Sequence, residues 1–218
     1  MTSQFPPPGR QAAYFCTGAL AGLSALPLEL AWTKLIARAQ TQAFPFLRSH
    51  APAATYRAAT RFWTFDITRS QLSPFQLPVW LTGGLSGAAG GFSEVLLQSA
   101  LHRKVPSAQA LGSQSLKLFF CFGSYTFLST TLSETQPPKP FAWCWCLGAA
   151  AGAFGGGIIA RLEGVRGREL WRNAVPKGAL LVGTVIAVQV TSCAEVLKSM
   201  KWRPKLPSGE TSCRSVGD

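Results

Sequence analysis

The chain has 218 residues, of which 47% are hydrophobic and only 14% charged, with a formal net charge of +12. So few charges argue against an ordinary soluble domain, in which about a quarter of residues are charged. The positive residues fall mainly between apolar segments and in the tails, which fits membrane-flanking charge and argues against a nucleic-acid-binding surface.

Three Gly-x-x-x-Gly pairs, Gly18/Gly22, Gly83/Gly87 and Gly148/Gly152, recur at a constant interval of 65 residues, each in an uncharged context. Internal periodicity of this kind decides architecture before local propensity does. Small residues four apart put bare backbone on one helix face and let two apolar helices approach closely. The expectation is an all-α membrane protein with six transmembrane helices, arranged as three tandem helix pairs with pseudo-threefold symmetry.

In chain order, residues 1–10 hold three prolines and are expected to form a non-helical tail. This segment lacks the basic and apolar regions of a signal peptide. Repeat 1 spans 11–72, with helices at about 11–40 and 51–72. Gln11 to Leu28 is uncharged and ends at Glu29, whereas the second helix carries Arg57, Arg61, Asp66 and Arg69 and is assigned by repeat logic. The proline-bearing 72–78 stretch separates it from repeat 2 (77–133), with helices at about 77–104 and 110–133; Ser70 to Ser93 and Leu118 to Ser133 carry no charge. Residues 133–140 form the next turn. Repeat 3 (141–199) has helices at about 141–164 and 170–199, and residues 200–218 are a basic, polar tail. The loops within pairs carry most of the arginines and lysines, so they are expected on the insertion side, with both termini opposite.

Candidate chemistry is sparse. Five of the six cysteines lie in or beside apolar segments, where cysteine behaves as a small hydrophobe, and no C-x-x-C occurs. With only His50 and His102, a histidine-based metal site is not expected. Gly155–Gly157 lies inside a span and has no preceding strand, so it is not read as a phosphate loop. No enzyme activity, metal or cofactor is expected.

Three tandem helix pairs with G-x-x-x-G on the odd helices resemble the mitochondrial carrier family. Pro27-Leu28-Glu29 stands where that family places its proline and acid, but position 32 is Trp; Glu94 keeps the acid in copy two, and copy three, Gly157-Ile158-Ile159, keeps neither. Phe65-Asp66-Ile67-Thr68-Arg69 matches the family's even-helix motif, Glu195 and Lys198 keep its spacing, and copy two, Tyr125 to Ser129, has lost both charges. Trp171-Arg172 resembles the family's aromatic-Arg segment, which implies contact with membrane lipids, cardiolipin among them. The repeat is shorter than a carrier's, the missing residues falling between the helices of each pair.

The resemblance implies alternating access between two ionic gates. Here Glu29 and Glu94 on the matrix side, and the pairs Asp66–Arg69 and Glu195–Lys198 on the other, leave neither ring complete. Substrate contacts in a working carrier fall to Arg57, Arg61 and Gln189. The function this implies is a degenerate carrier-fold protein that has lost transport and serves as a structural subunit of a mitochondrial inner-membrane complex, such as the respiratory chain or ATP synthase, with lipids and other subunits as partners. A minimal solute carrier is the alternative, and a translocase-type channel component a further one.

Overall fold

A computed structural model describes residues 5–37, 43–132, 140–165 and 167–199, and among these there is no strand. Six helices follow one another: α1 (Pro8–Ala37), α2 (Ala43–Leu72), α3 (Val79–Leu101), α4 (Ala108–Thr131), α5 (Phe141–Leu162) and α6 (Val175–Ser199). A 3₁₀ turn at Ser73–Phe75 leads into α3, and a wide π-type turn at Leu170–Ala174 leads into α6.

Two helix starts differ from expectation. α1 begins at Pro8, inside the segment read as a non-helical tail. A proline costs nothing in the first turn, where its missing N–H has no partner to lose; the Arg10 and Gln11 amides already bond the Pro7 carbonyl. α2 begins at Ala43 rather than near 51 and runs through Pro52. The proline removes one ladder bond without ending the helix. The outer tails, including residues 200–218, lie outside the described residues.

Among the described residues, three helices are long and apolar enough to cross a membrane: α1, α5 and α6 with the turn before it. The uncharged windows over α3 and α4 promised more. Part of the 70–93 window is the α2–α3 turn, and α3 itself is rich in weakly hydropathic glycine and serine. The first third of α4 is polar up to Lys117.

The repeated glycines are contact points. A Cβ on Gly22 would lie 2.6 Å from the Ala54 carbonyl oxygen of α2; one on Gly87 would lie 2.5 Å from that of Leu118 on α4; one on Gly152 would collide with that of Gly178 on α6. Each odd helix therefore lies backbone-to-backbone against its own even partner. The residue just before each of these glycines (Ala21, Ser86, Ala151) is fully buried. One turn further on, Gly90 approaches the Arg61 carbonyl of α2, and Gly155 approaches Cys121 of α4. This joins successive pairs, and α1 packs along α6, so the six helices close into a ring.

Large apolar side chains are exposed on the outer faces, and a few polar ones are buried alongside the apolar core. Leu20, Trp63, Trp80, Phe92, Phe127 and Phe154 face outward, while Thr17, Asp66, Ser86, Glu94, Thr126 and Gln189 are buried. Large exposed apolar surface marks a membrane or a protein partner.

Candidate functional site

The ring encloses a cavity of about 280 Å³ lined by α1, α2, α3, α4 and α6. Its charged walls come from Glu29 on α1, Arg57 and Arg61 on α2, Glu94 on α3, Lys117 on α4 and Lys177 on α6. Four cations thus face two carboxylates.

Arg61 and Glu94 are already matched. Arg61 donates through Nε and Nη2 to a single oxygen, Glu94 Oε2, at 2.9 and 2.7 Å, and Gln114 Nε2 donates to the same oxygen at 3.1 Å. Three helices meet at this atom. Arg61 arrives from the carbonyl against which Gly90 packs, so the absence of a side chain at Gly90 permits the α2–α3 approach that brings the pair together.

With that pair neutralised, Arg57, Lys117 and Lys177 remain against Glu29. Lys117 and Lys177 hold equivalent places: each immediately precedes the residue whose carbonyl packs on the second glycine of its pair, Leu118 on Gly87 and Gly178 on Gly152. In α2 that place belongs to Ala53. The cation comes one turn later from Arg57, whose Nε donates back to the Ala53 carbonyl at 3.2 Å.

The floor of the cavity is apolar. Leu118 and Phe122 line it and also belong to a buried cluster with Ala21, Phe62 and Phe65, against which Tyr14, Val185 and Val188 pack. Phe122 stacks near Phe65 with ring centroids 4.7 Å apart and meets Phe62 edge-on at 5.7 Å. Beyond this floor the axis turns polar again. Asp66 is 1% exposed and accepts from Arg10 Nε at 3.1 Å and from Arg10 Nη2. The Gln189 side-chain amide is buried with neither of its polar atoms hydrogen-bonded among the described residues.

Of the residues singled out in the sequence, Arg57, Arg61, Glu29 and Glu94 come together here. Gln189 is not in the wall. Glu94, expected to lack a base, takes one from α2. Asp66 does not pair with Arg69, as the carrier resemblance implied, but with Arg10. Helix α1 starts early enough to deliver Arg10 to the buried carboxylate, and Arg69 is left exposed. Glu195 and Lys198 are both exposed and form no ion pair with each other among the described residues. Trp171, 71% exposed, lies with Arg161 along an apolar groove between α5 and the turn before α6; Arg172 is exposed in that turn. Sequence reasoning missed Lys117, Lys177 and Gln114. They sit at the polar ends of apolar runs and read as membrane flanks; only the common offset of the two lysines from the glycine contacts distinguishes that pair.

No protein-family model matches the chain, and no curated protein or solved structure matches it significantly.

Proposed function

We propose that this chain is a compact, carrier-like membrane protein whose inner cavity takes up a small anionic solute. The observation that carries the reading is the cationic set lining the cavity, half-buried Arg57 and Lys117 with the exposed Lys177, opposed by Glu29 once Arg61 and Glu94 are paired. Charges within a bundle at membrane depth are costly, and where they persist they mark a path or a binding site. A cavity of about 280 Å³ suits a solute the size of a small dicarboxylate or phosphate and is too small for a nucleotide.

The repeated glycine contacts and the outward apolar side chains on α2, α3 and α4 support six spans in three equivalent pairs. The aromatic floor, with polar groups beyond it, supports a conformation open at one end only. The resemblance to mitochondrial carriers is the ground for proposing the mitochondrial inner membrane, with lipid at the Trp171 groove. The purified full-length protein in detergent, screened against a panel of anions for thermal stabilisation, tests the reading. Small dianions should stabilise it, and Lys117→Gln with Lys177→Gln should abolish the effect. Equal responses from cations, neutral solutes and anions would refute it.

One observation favours a second reading, that of a structural subunit of an inner-membrane complex. In copy three, buried Ile159 stands where Glu29 and Glu94 stand in copies one and two, so the threefold set of acids is incomplete. Blue-native electrophoresis of gently solubilised membranes separates the two: migration with an assembly of several times the chain's own mass supports the subunit, and migration as a small species supports the carrier.

A further inference from the structure

We propose that the opposite end of the bundle carries a second anion site, a phosphate-binding pocket between α2 and α3 built on Arg10 and Arg69. It does not depend on the reading of the inner cavity.

The pocket, of about 470 Å³, lies at the α2–α3 turn, beyond the aromatic floor. Two guanidinium groups line it and no carboxylate does among the described residues; Asp66, paired with Arg10, is buried and forms no part of the wall. Arg10 makes the hydrogen-bonded ion pair with that carboxylate, and Arg69, one turn further along α2, acts on Asp66 only through space and forms no ion pair among the described residues. A ligand entering the pocket therefore meets an excess of positive charge.

The rest of the wall supplies further donors. Ser70 and Ser73 present hydroxyls, and Thr82 lies opposite them on α3. Val79, the first residue of α3, is also in the wall. Pro78 before it caps none of the helix's first amides with a side chain, so the positive end of a 23-residue helix adds to the field. The turn between them holds Gln76 at φ 50°, a left-handed conformation that is costly without glycine and that tends to be kept at functional sites. Forked guanidinium donors match the oxygens of a phosphate, and hydroxyls on the other walls supply donors for the oxygens that a tetrahedral anion turns away from the forks.

A soluble phosphate and a phospholipid headgroup share this chemistry, and the test separates them. The full-length protein carrying Lys117→Gln and Lys177→Gln, which disarm the inner cavity, is titrated calorimetrically with inorganic phosphate. It is also reconstituted in phosphatidylcholine nanodiscs with and without phosphatidic acid and followed by thermal unfolding. Saturable phosphate binding identifies a soluble ligand, and stabilisation by phosphatidic acid alone identifies a headgroup; either upholds the site if Arg69→Gln weakens it roughly tenfold or more. Ser73→Ala, which removes only a hydroxyl, should weaken it in the same direction. Responses untouched by both substitutions, or no saturable response to either probe, would overturn the proposal.

Discussion

Arg61 of α2 places two donors on one oxygen of Glu94, a residue of α3, and thereby ties the first helix pair to the second inside the cavity wall. The side chains are 18% and 6% exposed, so neither charge is well hydrated when alone. Removing one partner of such a buried pair costs about 3–5 kcal/mol, because the survivor is left uncompensated.

Arg61→Ala and Glu94→Ala should each lower thermal stability markedly. The double substitution should be less harmful than the sum of the two, and a double-mutant cycle on the purified protein reads this coupling directly. Additive effects would mean the pair makes no net contribution.

The pairing at the other end has its own discriminating test. Arg10→Ala should destabilise by about 3–5 kcal/mol, since it strands the buried Asp66 carboxylate. Arg69→Ala, at an exposed residue that forms no ion pair among the described residues, should stay within about 0.5 kcal/mol. The reverse order would restore the i,i+3 pairing that the carrier resemblance implied.

The glycine contacts predict a graded series. Gly22→Ala, Gly87→Ala and Gly152→Ala each push a methyl group into a partner helix's carbonyl and should cost about 1–3 kcal/mol. Gly112→Ala meets open space and should be neutral or slightly stabilising, since alanine favours helix. Unfolding midpoints in detergent measure the difference.

The glycine pairs were the most legible part of the chain, because a contact that recurs at a fixed interval leaves a fixed interval in the sequence. Helix starts were less so. Pro8 fell in a segment read as non-helical, yet it sits in a first turn, and the start expected near 51 left out residues 43–50, by which α2 extends ahead of Pro52. The cavity was half legible. Arg57 and Arg61 stood out as charges within an apolar stretch, whereas Lys117 and Lys177 looked like flanks of the runs that follow them. Asp66 showed that sequence spacing cannot choose between partners: Arg69 had the helical offset, but Arg10, 56 residues away, had the geometry.

The cavity's charge predicts a selective loss. Lys117→Gln and Lys177→Gln should weaken anion binding without lowering stability, because neither lysine forms an ion pair among the described residues. Arg57→Gln should act in the same direction but less cleanly, since its Nε also bonds the Ala53 carbonyl. Thermal-shift titrations across the three variants provide the comparison.

The most direct test of the account is uptake of labelled small dianions, phosphate and C4 dicarboxylates, into liposomes containing the purified full-length protein. The account predicts saturable uptake that is competed by other small dianions, unaffected by nucleotides, and lost in the Lys117→Gln, Lys177→Gln double variant. Uptake no greater than in empty liposomes, or uptake that the double variant retains in full, would contradict it.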